Sequence, residues 1–219
     1  MKKKHLTFIV IISFGVLLHA QRKFTLLGYH RISSGTIYIE NREIKGSVYL
    51  FDKWNNKNTV YLNNGKTTKA DSININVDTN KLVIKQDGLI YNIEKEYYKH
   101  IIIDNKMYKV FSFNKENKIY EVVEKAKNNT LLRGYKVTYV VAKVKPYQMD
   151  NNKSDEYKKQ SSYYIKKENS IKRIKLKKKS ILKLFEDKKD AIVQYVKQNR
   201  LSYKKEKDVK KIFKYYHNL

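Results

Sequence analysis

From Thr36 to Lys145 apolar and polar residues alternate in short runs rich in Tyr, Val, Ile and Thr. The clearest run is Ser72-Ile73-Asn74-Ile75-Asn76-Val77. Ile73, Ile75 and Val77 share one face of an extended chain, and the polar residues take the other. The pattern predicts strands over Thr36–Glu40, Ser47–Phe51, Thr59–Leu62, Ser72–Val77, Lys81–Lys85, Leu89–Ile93, His100–Ile103, Lys106–Phe113, Lys118–Glu124 and Leu131–Val144. Asn64-Gly65 and Asp87-Gly88 suit two-residue hairpins, because both central positions tolerate positive φ. Asp78-Thr79-Asn80, Asp104-Asn105, Asn114–Asn117 and Asn128-Asn129 are further Asx-rich breaks. Strands half buried and half wet imply an antiparallel sheet. Tight connections then predict a meander that covers its edges as a sandwich, a roll or a partly closed barrel. A transmembrane barrel needs longer strands with a lipid-facing apolar row, and here Lys and Asn interrupt both faces.

Beyond Pro146 the pattern changes. Residues 149–161 read as a polar linker, followed by a short β element at Ser162–Lys167 and a second run at Ser170–Ile174. From Lys178 the period turns helical. Ile181, Leu182, Leu184 and Phe185 form one apolar cluster, and Ala191, Ile192, Tyr195 and Val196 a second. Asp187 is placed to cap that second helix. Val209, Ile212, Phe213 and Tyr216 make an i, i+3, i+4, i+7 stripe on a third. Three helices this short do not stay folded alone, so they need each other, the sheet or a partner. The expected class is α+β: an antiparallel β domain over residues 21–148, the linker, and a basic C-terminal segment over 162–219 ending in about three amphipathic helices.

The first 20 residues stand apart. Lys2, Lys3 and Lys4 precede an apolar run from Leu6 to Leu18, and His19-Ala20-Gln21 leads into Arg22-Lys23. This is the three-part pattern of a secretory signal peptide, with cleavage expected after Ala20, although position −3 is Leu18 and not a small residue. The run is too short for a comfortable membrane span. An exported chain has little access to nucleotide cofactors, and neither a dinucleotide fingerprint nor a phosphate loop is present.

Composition narrows the chemistry. The 219 residues contain no Cys, which removes disulfides, thiolate nucleophiles and zinc fingers. After cleavage His30, His100 and His217 stand far apart, so no metal site is expected. Serines lie in no nucleophile elbow, and carboxylates sit beside lysines, as in Glu94-Lys95-Glu96. No catalytic residue and no cofactor is expected. The net charge of +27 points to a polyanion, but 42 of the 48 basic residues are Lys, and AT-rich codons also produce that bias. Specific readers of phosphate lean on Arg.

The Gly46-Ser47-x-Tyr49-Leu50 element, Val60-Tyr61, the strand pair around Ile73–Lys85, Gly88-x-Ile90-Tyr91, Leu182-x-Leu184-Phe185 and the ending Tyr215-Tyr216-His217-Asn218-Leu219 together resemble a group of exported β-rich envelope proteins of Bacteroidetes, flavobacteria especially. Val48 stands where that group often has Pro. The resemblance implies a β-rich envelope protein with a helical tail. It implies no catalytic residues.

Three surfaces are candidates. Lys166, Lys167, Lys172, Arg173, Lys175, Lys177, Lys178 and Lys179 form a dense basic run interrupted by one acid, Glu168, and offer a polyanion contact. The same run also reads as lysines defending a solvated strand edge. Tyr163 and Tyr164 offer an aromatic surface. Val209, Ile212, Phe213 and Tyr216 offer a helix face for docking, or the chain's own core. The expected function is a non-enzymatic binding or scaffolding module of the envelope whose partner is an envelope protein or an anionic envelope surface. The alternative is a peripheral polyanion binder that takes lipopolysaccharide, anionic lipid or nucleic acid.

Overall fold

Alternating runs joined by tight turns close onto their neighbours, and the chain lays down most of its sheet in sequence order. The computed structural model describes residues 28–31, 37–40, 44–113, 116–142 and 154–219. The expected signal peptide lies outside the described residues. Two compact units divide the chain at Arg42. In the first, β1 (Gly28–Arg31) pairs antiparallel with β2 (Ile37–Glu40).

The second unit, Glu43–Leu219, is α+β. Its strands are β3 (Asn58–Leu62), β4 (Thr67–Thr68), β5 (Ile73–Asn76), β6 (Lys81–Gln86), β7 (Leu89–Ile93), β8 (Tyr98–Ile103), β9 (Lys106–Phe113), β10 (Glu116–Ala126), β11 (Asn129–Val140), β12 (Glu156–Lys167) and β13 (Ser170–Ile174). The helices α1 (Lys178–Leu184), α2 (Lys189–Gln198) and α3 (Glu206–His217) follow. One antiparallel sheet runs β13-β12-β11-β10-β9-β8-β3-β4 and does not close into a barrel. A second sheet, β5-β6-β7, is inserted between β4 and β8.

The two-residue hairpin expected at Asn64-Gly65 does not form, because only Gly65 takes a positive φ, +82°, and residues 63–66 all separate β3 from β4; at Asp87-Gly88 the expectation holds. Asp87 and Gly88 take φ of +50° and +78°, and Asp104 and Asn105 take +47° and +62°. Two successive left-handed residues match the twist of the flanking strands. Between β5 and β6, Asn76 Oδ1 accepts from the backbone N–H of Asp78 at 3.0 Å and of Thr79 at 3.1 Å.

Three further expectations change. Ser47–Phe51 is not a regular strand and makes only an isolated bridge, Tyr49 opposite Asn76. Buried Asn74 explains this, because its side chain stands in for backbone: Oδ1 accepts from Phe51 N at 3.0 Å and Nδ2 donates to Phe51 O at 2.8 Å. Residues 156–161 are not linker. They belong to β12, which pairs with β11 along its whole length, so the boundary expected at 161 falls inside a strand. Asp187 does not cap α2. Its carboxylate instead accepts from the Tyr216 hydroxyl at 3.1 Å.

Two cores cover one face of the large sheet. Paired antiparallel residues point to the same side, and successive registers give one row: Val60, Ile101, Tyr108, Glu121, Arg133, Tyr163 and Ile174. At the β3 end this face packs on Ile73, Ile75 and Leu82 of the small sheet. At the β12 end it packs on Ile181, Phe185, Ile192, Val209, Ile212, Phe213 and Tyr216 of the helical segment. Phe185 meets Phe213 edge-on at 4.9 Å and stacks on Tyr216 at 4.2 Å. A bulge in β10 between Val122 and Glu124 lets Val123 join the helical core while Glu124 reaches Lys214 of α3 at 4.0 Å.

Candidate anion-binding face

Alternation forces the remaining side chains of the same strands to the opposite face, and among the described residues neither core takes a sheet residue from it. Its central row is apolar: Thr59, Ile102, Met107, Val122, Leu132 and Tyr164, ending on Arg173. Leu132 is fully buried, and Ile102, Met107, Val122 and Tyr164 are half-buried. Cations flank the row on both sides. Lys109, Lys118 and Lys136 lie toward the β9–β10 hairpin, and Lys125 and Lys166 lie toward the β12–β13 turn. Carboxylates on this face, among the described residues, are Glu116 and Glu156, each the first residue of its strand.

Aromatic rings sit among these cations. Phe111 and Tyr120 meet at 6.1 Å, Tyr120 and Tyr164 at 5.3 Å, both edge-on. Lys109 Nζ lies 5.7 Å from the Phe111 ring and Lys118 Nζ 5.7 Å from the Tyr120 ring. Gly134 makes this possible. A Cβ there would stand 2.9 Å from Tyr120 Cε1 and 2.9 Å from Tyr164 Cε2, so both rings rest on bare backbone. At the far end Tyr61 stacks on His100 at 4.2 Å.

The electrostatics of this face are those of crowded positive charge. Burial, then Lys109 and Lys99, hold His100 below the ordinary imidazole range. Burial lowers Lys118, and Lys136 adds to this against the opposing pull of Glu116. Like charges this close leave the face ready for an anion.

The covered face has one polar constellation, where the two cores meet. Glu121, 4% exposed, accepts from the Tyr135 hydroxyl, and its Oε2 lies 3.5 Å from Arg133 Nη1. Arg133 Nη2 contacts Glu206 Oε2 in the first turn of α3 and donates to the Tyr163 hydroxyl at 3.0 Å. Tyr163 in turn donates to Glu206 at 2.6 Å. Burial works against the Arg133 charge, but Glu121, Tyr135 and Tyr163 outweigh it and hold its pKa above the ordinary guanidinium value. Burial, then the Glu121 hydrogen bond and charge, push the Tyr135 phenol well up. Two carboxylates share one guanidinium, and the shared contact ties α3 to the sheet. No group of three His, Asp or Glu among the described residues is placed to hold a metal.

The structure separates the residues singled out from sequence. Lys166 and Arg173 are on the cationic face. Lys167 and Lys172 are on the opposite side, Lys175 and Lys177 lie in the connection to α1, and Lys178 and Lys179 open that helix. The eight therefore do not form one patch. Tyr163 and Tyr164 point to opposite faces, because they are successive residues of a strand, and so make no common aromatic surface. Val209, Ile212, Phe213 and Tyr216 do not form an open docking face: they are buried in the chain's own core. The residues sequence reading missed are Lys109, Phe111, Lys118, Tyr120 and Lys136. Their signal was the i, i+2 spacing of Lys109 with Phe111 and of Lys118 with Tyr120. No protein-family model, curated protein or solved structure matches the chain.

Proposed function

We propose that the chain is an exported, non-enzymatic binding protein of the cell envelope that holds a polyanionic partner through the cationic face of its large sheet. One observation carries this reading: cations line both sides of that face, while among the described residues its carboxylates are confined to strand starts. The leader-like N-terminus and the resemblance to envelope proteins support the location. Scaffolding through α3 loses its support, because the stripe that would dock is inside the fold. Contact by lysines is mainly electrostatic, so it weakens steeply with salt.

The test is retention of residues 21–219 on immobilised heparin across a salt gradient. Replacing Lys109, Lys118 and Lys136 together by Glu is expected to remove retention. The same change at Lys175, Lys177 and Lys178 is expected to leave most of it. The reverse ranking, or wild-type protein that never binds, would sink the proposal.

A further inference from the structure

The charges border an apolar row, and that narrows the partner. We infer that this face lies against an anionic lipid surface, with the cations on headgroup phosphates and the row Ile102, Met107, Val122 against the acyl boundary. The inference rests on the proposed anion-binding role of the same face.

The apolar part of the row crosses β8 to β12, Ile102 to Tyr164, four gaps that at about 4.8 Å each make about 19 Å. Cations border it on one side at β9, β10 and β11 and on the other at β10 and β12. An acidic polysaccharide or a nucleic acid backbone has charge to offer the rims but no apolar surface to offer the row. A bilayer has both, in that arrangement: phosphates at the surface and hydrocarbon just beneath. Lysine suits the task, since its stem packs on apolar surface while its ammonium reaches the phosphate. Tyrosine suits the same boundary, with an apolar ring and a polar tip. Stacking on nucleobases is disfavoured, because Tyr120 is only 8% exposed and meets Phe111 and Tyr164 edge-on, so its ring face is not open.

The experiment is co-sedimentation of residues 21–219 with vesicles of phosphatidylcholine alone and of phosphatidylcholine with phosphatidylglycerol, alongside heparin retention and binding to a single-stranded oligothymidylate. Binding is expected to the anionic vesicles, with at least about tenfold less to the neutral ones. The double variant Met107→Gln, Val122→Thr is expected to lower vesicle binding about tenfold or more and to leave heparin retention unchanged, which also shows that it is folded. Heparin retention with no vesicle binding, tighter binding to oligothymidylate, or a double variant that binds vesicles as wild type does would overturn the lipid assignment and leave the anion-binding reading standing. Failure on heparin and vesicles alike would overturn both.

Discussion

The two faces of the large sheet are made of the same strands and differ in where their charge goes. On the covered face Arg133 meets Glu121 and Glu206, and the apolar neighbours are taken up by two cores. On the other face Lys136 works against the charge of Lys118 and Lys109 against that of His100, and among the described residues a carboxylate appears only at the start of a strand. Charge balanced inside a fold contributes to holding it. Crowded like charge opposes folding through self-repulsion. The comparison teaches that alternation alone, one residue to each side, separates paired charge from crowded like charge.

That separation can be broken first where stability is concentrated. Phe213 is 0% exposed and sits edge-on to Phe185, so Phe213→Ala is expected to cost about 4 kcal/mol in chemical denaturation. An unchanged midpoint would show that the helices are not part of the same cooperative fold. Arg133→Met comes next, at about 3 kcal/mol, because it strands a buried carboxylate, and Arg133→Met with Glu121→Leu should recover most of the loss. A double variant less stable than the single would show that the seam acts through something other than charge. Neither variant touches the cationic face, so heparin retention of the folded fraction should not move.

The smallest expected effect is on the cationic face itself. His100 titrates below its unfolded value near 6.5, so between the two values the unfolded chain binds more protons. Its contribution to stability is present above about pH 6.5 and is lost as pH falls through the folded value. Urea midpoints of wild type and His100→Gln, compared across that range, should converge in acid, and parallel curves would contradict the sign.

Much of the fold was legible because its signals are local. Lys106–Phe113 is the strand the alternation indicated, and Asp87-Gly88 and Asp104-Asn105 turn as their side chains and backbones allow. What was not legible depends on partners distant in sequence. Ser47–Phe51 has strand chemistry, but Asn74 takes the hydrogen bonds a neighbouring strand would have taken. Glu156–Ser161 looked like linker because a strand with β11 beside it can be polar on both sides. The spacing of Lys109 with Phe111 was visible, whereas which face would be left without a core follows from register across seven strands. The dense basic run drew attention by number, and a strand splits it between two sides.

That same run has a consequence for self-association. An eight-stranded sheet that stays open has two edges, and each could accept a strand from another copy. At one edge β4 is only two residues long, Thr67–Thr68, and offers almost no ladder to extend. At the other, β13 carries Lys172 and Arg173 on opposite sides, with Lys175, Lys177 and Lys178 just beyond. A second molecule approaching that edge from above or below brings the same cations with it. The basic run thereby opposes the addition of an identical chain at the β13 edge.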